Sequence, residues 1–273
     1  MMAWVTLLTQ PGYVVGVEAL QKSLRAVESR YPLVVMVTEN IDADARQVLE
    51  QQGCLLRDVA PLSPNPSLAN SYANARFAEV WTKLAAWTLT EFERVAFLDA
   101  DMLVTQNMDE LFTRPLAPGT IAACHACRCN PNRIASYPAD WVPENCFHSW
   151  CKGVDHVEQL DKVDNYLNGG FLLLQPDRTV FEEMLAQLAA LEDLSGFLFA
   201  EQDFLNQFYH GRWQPLPYIY NALKTLPQQH PKIWDLARVK NIHYIIDKPW
   251  EKQPEPGDRY FELHQLWWDS VSD

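Results

Sequence analysis

Arg94-Val95-Ala96-Phe97-Leu98-Asp99-Ala100-Asp101-Met102-Leu103-Val104 decides how this chain is read. The run from Val95 to Leu98 is apolar without alternation, which fits a strand buried on both faces of a helix-covered parallel sheet. It stops abruptly at two carboxylates separated by one alanine. In open α/β sheets ligands lie beyond the carboxyl ends of the strands, so Asp99 and Asp101 fall where a ligand is expected. Two hard oxygen donors at alternate positions suit Mg²⁺ or Mn²⁺. The same three residues could also simply cap a strand or open a turn.

Upstream, Trp4–Thr9, Pro32–Val37 and Cys54–Val59 read as strands, separated by helices from Tyr13 through Val27 and from Asp42 to Gln52. This strand–helix alternation begins a Rossmann-like sheet, although no G-x-G-x-x-G marks a dinucleotide fingerprint. A Pro/Asn/Ser-rich loop over 61–71 leads to a helix expected from about Phe77 to Phe92. Downstream, Asn107–Phe112 reads as a short helix, Ile121–Cys124 and Tyr166–Leu174 as strands, and Thr179–Leu191 and Phe199–Tyr209 as helices. Val239–Tyr244 is a late strand containing His243, and Phe261–Val271 is an aromatic amphipathic tail. One domain is expected, with a nucleotide-binding half at 1–124, a Cys-rich insertion at 125–165, a second half at 166–250 and the tail at 251–273.

The 273 residues carry 35 acidic against 22 basic side chains, a net charge of −13, which disfavours a nucleic-acid groove. No apolar run is long enough for a membrane span, and no secretory signal opens the chain, so a cytoplasmic location is expected. Five of six cysteines fall between Cys124 and Cys151. Cys124-x-x-Cys127, with His125 and His148 nearby, has a metal-like spacing, but Cys146-x4-Cys151 is looser than a zinc knuckle. Reduced thiols in a packed loop are the expectation, with structural zinc as the alternative.

Several blocks occur together in order: Trp81-Thr82-Lys83-Leu84, Phe97–Asp101, Asn107–Phe112, Leu167-Asn168-Gly169-Gly170, Phe199–Asn206, and His243 followed by Lys248-Pro249-Trp250. In these the chain resembles the family-eight retaining glycosyltransferases, the group containing glycogenin and galactinol synthase. The resemblance implies a nucleotide-sugar-binding domain of the glycosyltransferase A type with a mostly parallel central sheet. It implies a UDP-sugar donor with Mn²⁺, or Mg²⁺ in its place, held by Asp99, Asp101 and His243. Lys248 would contact the departing UDP. Leu7, Thr9, Gln10, Tyr13, Lys83, Ala100 and Asn168 would line the donor site, and Glu201 and Gln202 would face the donor sugar. For Lys83 an exposed helix lysine is an equal reading, and Tyr13 could simply pack.

The Phe199–Asn206 block and the clustered cysteines look more like galactinol synthase, implying transfer of galactose from UDP-galactose to myo-inositol or a similar polyol, and a homodimer. Transfer of another sugar to a glycan or protein acceptor, and a catalytically silent UDP-sugar-binding protein, are the rival readings. In one respect the chain departs from the family pattern: Tyr244-Ile245-Ile246-Asp247 lacks the glycine usual between the histidine and the lysine. Between Asn221 and His243 there is no tyrosine, so a self-glycosylating acceptor like that of glycogenin is not expected.

Overall fold

The computed structural model describes residues 1–64, 79–158 and 160–272. Much of the expected 61–71 loop and the start of the helix from Phe77 lie outside the described residues.

β1 (Met2–Leu8), β2 (Leu33–Val37) and β3 (Leu55–Asp58) alternate with α1 (Val14–Ala26) and α2 (Ala43–Gln51). Asp42 caps α2 by accepting from the Ala45 N–H at 2.8 Å, as a short side chain at a helix start should. β4 (Arg94–Leu98), β6 (Ile121–His125), β7 (Leu167–Leu174) and β8 (Trp213–Leu216) complete a seven-stranded sheet, ordered β3-β2-β1-β4-β7-β6-β8. It is parallel except for β7, which runs antiparallel to both β4 and β6. Successive residues of the central strands enter opposite cores. Ala3, Val5, Val95 and Phe97 pack with Trp81 and Trp87 on one face. Trp4, Leu8, Ala96 and Leu98 pack with Leu20 and Phe112 on the other. Both faces are covered, so the strands read as unbroken apolar runs.

A second sheet, not foreseen from the sequence, joins β5 (Met102–Val104), β10 (Asn241–His243) and β9 (Ala222–Leu223) in the order β5-β10-β9. The described end of the expected 77–92 helix is a 3₁₀ stretch, Val80–Thr88. α3 (Arg178–Ala189) and α4 (Glu201–Phe208) flank the large sheet, and the four-residue α5 (Leu226–Gln229) follows β9. The aromatic tail folds as α6 (Phe261–Ser272) and buries Leu263 and Trp267, while Trp268 Nε1 donates to Pro249 O at 2.9 Å. Among the described residues no helix is long and apolar enough to cross a membrane.

Beneath α6 lies Lys224, fully buried. Its ammonium donates to Asp247 O at 2.5 Å and is 3.5 Å from His264 Nε2. Burial, only partly opposed by Asp247, lowers Lys224 from 10.5 to about 8. Between those two values the unfolded chain binds more protons than the folded one, so this group's contribution to stability rises with pH across that window and is flat below it. Urea unfolding of the wild type and Lys224→Met from pH 7 to 10 checks this: the wild type should gain on the variant above about pH 8. A constant difference would show that Lys224 keeps its ordinary affinity for protons.

Candidate active site

Strand register builds the site. β4 pairs Leu98 with Phe171, so the chain leaving β4 meets the glycine pair of β7, and Asp99 N–H donates to Gly170 O at 2.9 Å. β10 pairs His243 with Met102, and Tyr244 N–H donates to Asp101 O at 2.9 Å. Asp99, Asp101 and His243 thereby converge, with donor atoms within 4.8 Å of one another. A Cβ on Gly170 would stand 2.4 Å from His243 Cε1 and 2.9 Å from Asp99 Oδ2, so only glycine admits this approach. Gly16 plays the same part behind the Asp99-Ala100-Asp101 turn, where a Cβ would lie 2.4 Å from Ala100 O.

A chain of hydrogen bonds fixes which histidine nitrogen faces the carboxylates. Gly170 N–H donates to Asn168 Oδ1 at 3.0 Å, which marks that atom as the oxygen. Asn221 Nδ2 donates to the same oxygen at 2.8 Å, so Asn221 Oδ1 faces His243 Nδ1 at 2.9 Å. His243 Nδ1–H therefore donates to Asn221 Oδ1, which turns Nε2 toward the carboxylates, 3.3 Å from Asp101 Oδ1 and 3.7 Å from Asp99 Oδ2. Asp101 Oδ1 is buried without a hydrogen-bond partner. Two carboxylates and an imidazole nitrogen thus converge on one point, and adjacent donors around an octahedral ion at about 2.1 Å lie about 3 Å apart. The donor set fits a divalent ion. Burial would raise Asp101, but Lys248, paired with its Oδ2, and His243 hold it far below the usual carboxylate range.

A second group borders the first. Lys83, which could equally have been an exposed lysine, is buried; its Nζ lies 2.9 Å from Asp99 Oδ1 and 2.8 Å from Glu201 Oε1, and donates to Gly169 O at 2.9 Å. Burial works against this ammonium, yet the two carboxylates hold it well above its ordinary range. Glu201 is pushed up by burial, which Lys83 offsets only in part. Gln202 Oε1 accepts from Gly169 N–H at 3.0 Å, so its Nε2 donates to Tyr166 O–H at 3.1 Å, and Tyr166 donates in turn to Asp203. The amide is thus held in one orientation. Ala200, just before α4, has φ 46°, a left-handed backbone that a non-glycine residue adopts only under constraint.

These groups separate two adjoining cavities at the carboxyl end of the parallel strands. The larger, of about 410 Å³, is lined by Leu7, Thr9, Gln10, Tyr13, Ala100 and Lys248 among others. Burial raises Tyr13, whose ring meets Trp250 edge-on at 5.4 Å and lies under Lys248. The smaller, of about 210 Å³, contains Asn168, Thr225 and an aromatic wall of Tyr137, Trp141 and Phe199, in which Trp141 stacks on Phe199 at 4.4 Å. Every site residue expected from the sequence therefore borders one of these cavities or both. The loop lacking the usual glycine instead puts Ile246 at φ 69°, a strained conformation for a β-branched residue. Asn221, Tyr166 and Asp203 were not foreseen as orienting groups, because their partners are set by register and not by spacing.

The cysteine spacing misled. Cys124, His125 and His148 do not join Cys127: Cys124 Sγ is 3.2 Å from Pro217 O, His125 stacks on Phe147 at 3.4 Å, and His148 Nε2 bonds His125 O. Cys127, Cys129, Cys146 and His230 come together instead, all buried. The cysteines are free, without a disulfide.

Residues 5–253 match the model of glycosyl transferase family 8. Galactinol synthase 7 of Arabidopsis thaliana is 33% identical over 279 residues, covering 99% of this chain and 82% of the relative. Among solved structures, the galactosyltransferase LgtC, with donor and acceptor sugar analogues, superimposes with a TM-score of 0.67 at 16% identity, covering 100% of this chain and 95% of that one. The bifunctional glycosyltransferase WbbM gives 0.65 at 17%, and this chain spans 50% of its length. At these identities the two structures establish the glycosyltransferase A-type fold.

Proposed function

Because the chain belongs to glycosyltransferase family 8, we propose that it transfers a hexose, with retention, from a UDP-sugar to a small polyol, in the manner of galactinol synthase. The convergence of Asp99, Asp101 and His243 Nε2 where the two cavities adjoin carries this reading. These three would hold Mn²⁺, or Mg²⁺, which when bound neutralises the donor diphosphate as a Lewis acid. The donor would occupy the larger cavity, its base near Leu7, Thr9, Gln10 and Tyr13, and its sugar between Asn168, Glu201 and Gln202. Lys248 would face the departing diphosphate as a point charge. Lys83 is a positioning residue that binds Asp99 and Glu201 to one cation.

Gln202 is an amide, a poor nucleophile, so we favour attack on the face from which UDP leaves. The acceptor oxygen bonds to the anomeric carbon, the bond from that carbon to UDP breaks, and the hydroxyl proton passes to the departing phosphate oxygen. The smaller cavity, below the usual range for drug-sized ligands, suits an acceptor of one ring.

Product analysis with UDP-galactose and UDP-glucose, a panel of polyols and Mn²⁺ tests this. An α-galactoside of myo-inositol is expected, with the protein's intact mass unchanged. A ladder of hexose additions on the protein would instead mark it as its own acceptor, and transfer to none of the polyols would remove the polyol reading.

A further inference from the structure

Cys127 and Cys129 follow β6, Cys146 precedes the 3₁₀ turn Phe147–Trp150, and His230 closes α5. Their donor atoms surround one point. His230 Nε2 lies 3.5 Å from Cys127 Sγ, 3.2 Å from Cys129 Sγ and 3.5 Å from Cys146 Sγ, and the Cys127 and Cys146 sulfurs are 3.9 Å apart. A tetrahedral zinc with ordinary Zn–S and Zn–N bonds places its sulfurs about 3.8 Å apart and its nitrogen about 3.5 Å from each sulfur. Hydrogen bonding alone accounts poorly for this arrangement, since one ring nitrogen carries at most one proton and cannot satisfy three sulfurs at once. The Arg128 N–H donates to Cys146 Sγ at 3.3 Å, the kind of outer contact that steadies a thiolate ligand.

We propose that Cys127, Cys129, Cys146 and His230 bind one Zn²⁺ in a closed structural site. Three thiolates and an imidazole match zinc's preference and leave no open position for a substrate. Binding releases the thiol protons still present to solvent. The ion ties the Cys-rich insertion to the segment after β9, and Cys127 and Thr225, on either side of that tie, both line the smaller cavity. Zinc thus fastens the wall carrying Tyr137 and Trp141 against the strand that bears His243. In this proposal structural zinc, the alternative, takes the place of the expected metal-free thiols. The site contains no carboxylate and is independent of whichever sugar is transferred.

The test is metal content of the full-length protein after a brief chelator wash that strips weak sites. One zinc per chain is expected by inductively coupled plasma mass spectrometry, unchanged in Asp99→Ala, which breaks the other cluster, and in Cys151→Ser. Cys146→Ser and His230→Ala should each lose most of it. If those variants do not fold, cobalt exchanged into the wild type decides, since only thiolate ligation gives sulfur-to-cobalt charge transfer together with tetrahedral d–d bands. Folded wild type without stoichiometric zinc and without that absorption overturns the site, as does zinc lost in Asp99→Ala but kept in Cys146→Ser and His230→Ala.

Discussion

Asp101→Asn is expected to lower kcat by about a hundredfold to a thousandfold, the range for removing one electrostatic group from a reacting centre, and to lower the unfolding temperature as well, because the Lys248 ammonium loses its buried partner. The substitution keeps shape and volume. It also keeps the backbone bond from Tyr244 N–H to Asp101 O that positions β10. What disappears is the negative charge shared by His243 and Lys248. Calorimetry of UDP binding separates the causes: Mn²⁺ should tighten UDP on the wild type and not on the variant. A wild type indifferent to EDTA, or a fully active Asp101→Asn, would remove the divalent ion from this site.

Lys83→Met should be the most destabilising single change in the cleft, by about 3–5 kcal/mol at neutral pH, because it strands a buried carboxylate without its cation. Glu201 is the carboxylate concerned, since Asp99 is the more exposed of Lys83's two partners. The loss should shrink as pH falls, since protonation neutralises a stranded Glu201. Lys83→Met combined with Glu201→Gln should therefore recover much of the stability and none of the activity. Urea titrations of both variants at pH 5 and 8 provide the check. An equal loss at both pH values would place the damage in packing, not charge.

What could be read from the sequence was local. The unbroken run Val95–Leu98 identified the central strand, and its abrupt end located Asp99 and Asp101. The ordered blocks carried the family, and with it His243, Lys248 and Gln202. What could not be read was set by pairing between distant segments. β7 runs antiparallel to β4, and the periodicity of an apolar run has no sign for direction. Lys83 was ambiguous because the whole stretch from Trp81 to Trp87 is buried, so no exposed side sets it apart. Likewise His230 is 84 residues beyond Cys146, outside any spacing rule for metal ligands, so the cysteines were grouped with the wrong histidines.

The late position of β10 also determines when the protein becomes competent during its own synthesis. The strands supplying Asp99 and Asp101 leave the ribosome early, but Lys248 lies 147 residues after Asp101, a wait on the order of ten seconds at ordinary elongation rates. Through that interval β5 has an unpaired edge, and the carboxylates lack both the imidazole and the ammonium that later hold them. A chain terminated before residue 241 retains the strands of the large sheet but none of β10. Incomplete translation products would thus lack His243 and Lys248, and would offer the exposed β5 edge to the quality-control machinery.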